Sequence, residues 1–196
     1  MAKTLRQQIR QQRRSLDDRS RAMAATHLTK HILASRAFRC GQRIACYLPN
    51  DGEIDPTLII ERIWELGKEC YLPVLNPLGH NRLEFAPFTA ETQLKLNCFG
   101  IAEPDVHASK WISPMQLDLV LAPLVAFDVQ GNRMGMGGGY YDRSFAFLRH
   151  RKHWRKPRLV GVGYDFQQVE KLPVQHHDVP LRGVITDKGN ISRKVP

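Results

Sequence analysis

Paired cysteines, long apolar runs and acidic side chains are all scarce in this chain, and each shortage removes a class of function. The four cysteines, Cys40, Cys46, Cys70 and Cys98, lie far apart with no CxxC. They build neither a zinc ribbon nor a disulfide framework. Cys46 and Cys70 fall inside apolar, strand-like runs and are expected to serve as core packing. No apolar run reaches membrane-spanning length, and the basic amino terminus carries no apolar signal core. A reducing cytoplasm and no membrane partner are therefore expected. The standard nucleotide motifs are missing too: no GK[ST] follows a glycine cluster, and after Gly135 and Gly137 the third position of a dinucleotide fingerprint is Tyr140.

Acids number 19 against 29 Lys and Arg, giving a net charge of +10 and a pI near 9.8. The excess is concentrated. Residues 1–21 hold Lys3, Arg6, Arg10, Arg13, Arg14, Arg19 and Arg21 against Asp17 and Asp18, and a second cluster holds Arg149, Arg151, Lys152, Arg155, Lys156 and Arg158. Such runs read as solvated faces, or as a positive field for a polyanionic small molecule. Nucleic acid ranks behind both, because no zinc-finger spacing, RNA-binding aromatic signature or basic zipper is present.

A chain of 196 residues, 42% hydrophobic, fits one α/β domain over 1–196, with a basic helical segment at 1–35 packed on it. Residues 4–34 read as two helices broken near 15–18, with Ser15 and Asp18 as a capping pair. His27 and His31 share a helix face but lack a third ligand, which favours surface or packing roles over metal. RIACYL at 43–48 reads as a strand and PNDGE at 49–53 as a turn. A helix follows from Asp55-Pro56 to Gly67, then a strand CYLPVL at 70–75. This strand–helix–strand order points to a parallel sheet. Further strands are expected at 82–88, 117–127 and 159–166, with 181–186 the last, and a helix at 140–149. The expected architecture is three-layer α/β, a mostly parallel sheet flanked by helices, with an amino-terminal helical segment.

Chemistry concentrates in GNRMGMGGGYYDR at 131–143, which packs five glycines into nine positions behind an apolar strand. A loop rich in free N–H groups between a strand and a helix is where α/β proteins hold phosphate. Arg133 can fork onto phosphate. Asp142 can hold Mg²⁺, or act as a first-turn acid against the helix dipole. Tyr140 and Tyr141 can stack on a flat ring, with at least one expected in the core. Glu53 follows a strand's carboxyl end, where ligands of open sheets sit, although a solvated turn acid has the same pattern. His176 and His177 are adjacent and point apart in a strand-like loop, so Asp178 is the more economical metal candidate of that cluster.

The glycine run, with YLPNDGEID upstream and LPVQHHD downstream, resembles the 5-formyltetrahydrofolate cyclo-ligase family, also called methenyltetrahydrofolate synthetases. The resemblance extends to KTLR, GKECYLPVL, IAEP, DLVLAPLVAFD and GVIT. It implies a reaction in which ATP and 5-formyltetrahydrofolate, with Mg²⁺, give 5,10-methenyltetrahydrofolate, ADP and phosphate. It further implies ATP contacts at Lys3, Arg6, Arg133, Met134, Gly135, Met136, Gly137, Gly138, Gly139, Tyr140 and Tyr141. Folate would meet Leu48, Glu53, Met136, Gly137, Gly138, Gly139 and Tyr140, and Mg²⁺ would meet Asp142 and Asp178. Arg133, Tyr140 and Asp142 would stand nearest the chemistry, and a polyglutamylated substrate would suit the basic amino terminus. Two departures from the family pattern stand out. Met136 occupies a position that is Arg or Lys in many members, so Arg133, Arg6 or Lys3 would carry more of the charge. Lys3 is also three residues before Arg6 rather than the usual four. A sugar-phosphate isomerase or a CoA transferase on a related fold is the competing enzyme class.

Overall fold

Side-chain alternation along short apolar runs decides the frame. Ile44 and Cys46 face one side and Ala45 the other; Leu119 and Leu121 face one side, Val120 and Ala122 the other. All are buried, so these strands are covered on both faces, the condition of a parallel sheet. The structure is a computed structural model that describes residues 2–76, 81–151 and 156–193.

In chain order the elements begin with helices α1 (Ala2–Arg14), α2 (Asp18–Ala34) and α3 (Arg36–Cys40), strand β1 (Arg43–Ala45) and helix α4 (Thr57–Glu65). Strands β2 (Glu69–Leu75), β3 (Leu83–Pro87), β4 (Leu94–Leu96), β5 (Ala102–Pro104), β6 (Leu119–Pro123), β7 (Ala126–Phe127) and β8 (Arg133–Met134) follow. Helix α5 (Tyr140–Ser144) and strands β9 (Arg158–Gly163), β10 (Gly183–Thr186) and β11 (Asn190–Ser192) complete the series. Seven strands form one sheet in the order β11-β10-β9-β6-β1-β2-β3. Its five inner strands are parallel, and β3 and β11 run antiparallel at the edges. Helices α2 and α4 cover one face through Leu28, Ile32, Ile59 and Ile63. The other face is closed by Phe145 at the end of α5, the following 3-10 turn Ala146–Arg149 and loops. Helix α1 lies apart from both layers, setting Leu5 and Ile9 on Val125, Ala126 and Met134.

Local chemistry explains most boundaries. Helix α4 stops in a Schellman motif: Gly67 (φ +65°) donates to the Trp64 carbonyl and Lys68 to that of Ile63. At the start of α2 the cap is Asp17 rather than Ser15. Asp17 Oδ1 accepts from the Ser20 N–H at 2.8 Å, while the Ser15 hydroxyl donates to the Gln12 carbonyl and so belongs to the end of α1. His31 packs, as expected of it, with Nδ1 3.0 Å from the Thr186 carbonyl.

Other expectations are corrected. The apolar run 117–127 is two strands in different sheets, because it turns at Leu124. Gln167 Nε2 donates to the carbonyls of Leu124 and Val125, both at 2.8 Å, satisfying backbone that the ladder leaves behind. The helix expected at 140–149 ends at Ser144 and tightens into a 3-10 turn. The strand at 181–186 is not the last, since β11 pairs with it beyond Gly189. Segment 89–116 includes the β4–β5 hairpin. Lys152 and Arg155 of the second basic cluster lie outside the described residues.

Candidate active site

The chain lays β1 near the middle of its sheet, continues outward through β2, then returns to place β6 on the other side of β1. Loops leaving the carboxyl ends of β1 and β6 therefore diverge and open a crevice between them, where ligands of open α/β sheets bind. The β1 loop supplies Leu48 and Glu53. The β6 side leads through the β7–β8 hairpin to the glycine run and α5.

Asp51 and Gly52 both have positive φ (52° and 73°), and the Glu53 N–H closes the turn on the Asn50 carbonyl at 3.0 Å. That is the geometry of a type I′ turn. Gly52 is required for a second reason: a Cβ there would lie 3.2 Å from the Arg13 backbone. The end of α1 thus sits directly on the turn, and charge pins it there. Asp51 Oδ2 accepts from Arg10 Nε at 2.5 Å and Arg13 Nη2 at 3.0 Å, and Oδ1 from Arg14 Nε at 2.5 Å. Burial pushes the Asp51 carboxyl up, but hydrogen bonds from Arg10 and Arg14 outweigh it and hold the group below the usual range.

Glu53 turns inward from that turn. Its Oε2 accepts from the Asn50 N–H at 3.2 Å and its Oε1 lies 3.8 Å from Arg13 Nη1. Burial lifts its pKa to about 7, against the pull of Arg13. A carboxylate whose ionisation is this costly is a functional candidate with a physical rationale. Leu48, half-buried, packs against the core on the α2 and α4 side. Across the crevice, burial and, after it, the Glu53 charge raise the Tyr141 phenol.

The glycine run is held at both ends. Arg6 Nε donates to the Gly135 carbonyl at 3.0 Å, so α1 reaches the second glycine of the run. Arg143 donates to the Gly138 carbonyl, bonds the Asn81 carbonyl at 3.0 Å and lies 5.4 Å from the centre of the Tyr140 ring. Met136 stands at the loop crest and is exposed, as are Gly135, Gly137 and Gly138. Gly139 takes φ +64° at the start of α5. Tyr140 remains at the surface, hydrogen-bonded to Asn81 Oδ1 at 3.3 Å and met edge-on by Phe99 at 5.9 Å. Tyr141 stacks on Phe145 at 6.0 Å, so one of the two tyrosines packs inward as anticipated. Lys3 is exposed on the first turn of α1, one turn from Arg6.

Arg133, Asp142, Gln175, His176 and Asp178 line one cavity of about 320 Å³ behind the glycine run. Asp142 Oδ1 accepts from Arg133 Nη2 at 2.7 Å and from the Val179 N–H at 3.0 Å. Arg133 Nη1 also donates to the Val179 carbonyl, so one of its nitrogens ties the loop to the 174–179 segment while Nη2 is held by Asp142. It is less of an open fork than its sequence position suggests. Asp178 Oδ2 accepts the Gln175 N–H at 2.8 Å, and the rings of His176 and His177 stand perpendicular. Among the described residues, no three His, Cys, Asp or Glu side chains are grouped for a metal. Two carboxylates on one cavity nevertheless suit a hard cation that takes its remaining oxygens from phosphate and water.

Sequence reasoning missed Arg13, Asp51 and Arg143. A signal for the first existed: Arg6, Arg10 and Arg13 fall at helical spacing beside Leu5 and Ile9, so they share a face with apolar residues.

Known proteins share both the sequence and the fold of this chain. The chain is 38% identical over 183 residues to a 5-formyltetrahydrofolate cyclo-ligase of Haemophilus influenzae, covering 92% of this chain and 95% of that one. It is 37% identical to the Escherichia coli K12 protein of the same name, covering 91% and 96%. Its fold matches the NMR structure of Aquifex aeolicus 5,10-methenyltetrahydrofolate synthetase with a TM-score of 0.81 and 28% identity, over 100% of this chain and 94% of that chain. The model of the 5-formyltetrahydrofolate cyclo-ligase family matches residues 1–187, and the chain belongs to that family.

Proposed function

We propose that this chain uses ATP to cyclise 5-formyltetrahydrofolate to 5,10-methenyltetrahydrofolate, releasing ADP and phosphate. The observation that carries this reading is one glycine-rich wall with a buried acid on one side and cations on the other. Glu53 lies toward β1, Arg6 bonds the Gly135 carbonyl, and Arg133 with Asp142 closes the cavity behind it. A flat substrate with a donor-rich edge suits Glu53 and Leu48, with Met136, Gly137, Gly138, Gly139 and Tyr140 along its length. A nucleotide suits the exposed N–H groups of 135–139, Lys3, Arg6 and Arg133, with Met134 and Tyr141 packed behind. Lys3 and Arg6 are also placed to favour extra carboxylates on a glutamylated substrate.

The chemistry asks for little beyond placement and charge. A formyl amide oxygen is a poor leaving group, so the γ-phosphoryl is transferred to it, with ADP departing. The neighbouring folate nitrogen then attacks the activated carbon and loses its proton, and phosphate leaves with the former formyl oxygen. Phosphoryl transfer needs in-line positioning and neutralisation of spread charge. Glycine N–H groups and Arg6 supply donors here, and the Arg133–Asp142–Val179 tie fixes the loop that carries them. Asp142 and Asp178 would hold Mg²⁺, which when bound neutralises phosphate charge. No side-chain nucleophile is required.

The test is turnover: purified protein with 5-formyltetrahydrofolate, ATP and Mg²⁺ is expected to produce the methenyl chromophore and ADP in equal amounts. ADP formation without the chromophore, or no turnover with any nucleotide and metal, would overturn the reading.

A further inference from the structure

Among the described residues Arg13 is the one arginine with 0% exposure, and a cation so placed needs a reason. Its guanidinium sits under the β1 turn, with Nη2 on Asp51 Oδ2 at 3.0 Å, Nη1 on the Leu124 carbonyl at 3.4 Å and the same Nη1 3.8 Å from Glu53 Oε1. Its Nε is buried with no hydrogen-bond partner. For stability alone this is a poor arrangement, since an apolar side chain would fill the space without an orphan donor. Asp51 does not account for it either, being already held by Arg10 and Arg14 from the same helix. What Arg13 adds is a fixed, buried positive charge 3.8 Å from Glu53.

From this geometry we infer that Arg13 is a positioning residue that keeps Glu53 an ionised acceptor for the folate. The inference rests on the proposed role of Glu53 in folate binding. Groups around Glu53 divide by sign. Burial and the Asp51 charge favour its protonated form; Arg13 and the Asn50 N–H favour the carboxylate, and the balance falls near neutrality. Tyr47, two residues beyond β1, and Tyr141 on α5 also feel its charge, and both phenols are pushed up, chiefly by burial, so they stay neutral. Cys46, beside them, is likewise held as a thiol by Cys70 and burial. Arg13 is therefore the cation that decides which form of Glu53 meets the substrate. Since α1 also bonds the glycine run through Arg6, one helix sets a charge in the folate bed and touches the loop expected to hold ATP.

The experiment is the pH dependence of kcat/KM for 5-formyltetrahydrofolate, which reports the ionisation of the free enzyme. Arg13→Gln should move its acid limb upward by at least about one pH unit, with KM at neutral pH rising about tenfold and kcat changing less. Arg13→Lys, which restores the charge, should bring the limb back toward wild type. Asp51→Asn should move it downward, and Asn tolerates the positive φ at that position. This opposite shift decides the matter even if Arg13→Gln does not fold. If the limb stays in place in Asp51→Asn and in the Arg13 variants while their Tm values fall, Arg13 is only structural. Glu53→Gln separates the two levels. It should remove the limb, and if KM and limb are unchanged in that variant, the folate role of Glu53 itself is wrong.

Discussion

Glu53 carries a stability cost that Arg13 and the Asn50 N–H relieve only in part. Its pKa rises from about 4.5 to about 7 on burial, so between those values the folded state binds a proton that the unfolded chain has released. Stability therefore falls as pH rises through that window, and the cost is fully present above about 7. Glu53→Gln should stabilise the protein at alkaline pH by on the order of 2–3 kcal/mol, with the advantage shrinking toward pH 4.5. Thermal unfolding of both proteins across that range is the measurement; a constant difference would show that Glu53 is not the titrating group. Such a cost is what the proposed role of Glu53 in folate binding would demand. At this scale the loop residues and Asp142 were legible because glycine density and an acid at a helix start have few readings. Arg13 was not, because seven basic residues in 21 look like a solvated face. Only the crossing of α1 over Leu124, 111 residues away, buries it.

Among the elements, α1 matters out of proportion to its packing. Two apolar residues, an arginine cluster on Asp51 and one bond to Gly135 hold it against the body. Gly52 is the keystone, since a Cβ would strain a φ of +73° and press on the Arg13 backbone at 3.2 Å. Gly52→Ala should lower stability by about 1–3 kcal/mol. It should also raise KM for ATP, because the displaced helix carries Arg6 away from the glycine run. Chemical denaturation and steady-state kinetics check the two halves. Lower stability with unchanged ATP kinetics would remove α1 from the nucleotide site. Helices and inner strands were readable from periodicity and caps, as with Gly67 ending α4. The break after β6 was not. Eleven consecutive largely apolar residues look like one strand until Gln167, over 40 positions later, takes up the stranded carbonyls.

Over the whole molecule the excess of +10 lacks a nucleic-acid motif to explain it. Part is consumed internally, since Arg10, Arg13 and Arg14 meet on Asp51. On the proposed function, the remainder, including Lys3 and Arg6, would make a field that draws a polyanion toward the crevice. Raising salt from about 0.05 to about 0.5 M should raise KM for ATP several-fold with little change in kcat, because only long-range attraction is screened. A salt-independent KM would mean that ATP is captured by short-range contacts alone. No helix among the described residues is long and apolar enough to cross a membrane.

Residue order alone was enough for the α/β class, the parallel core, the glycine run and the family, because these depend on periodicity, turn chemistry and contiguous motifs. Which cations are buried against internal partners was decided only by tertiary structure. Charge has the same letter wherever it sits; burial and the distance to a partner fix its work. Arg133 thus ties its loop to Val179 and Asp142, and Arg13 turns from surface charge into the neighbour of Glu53.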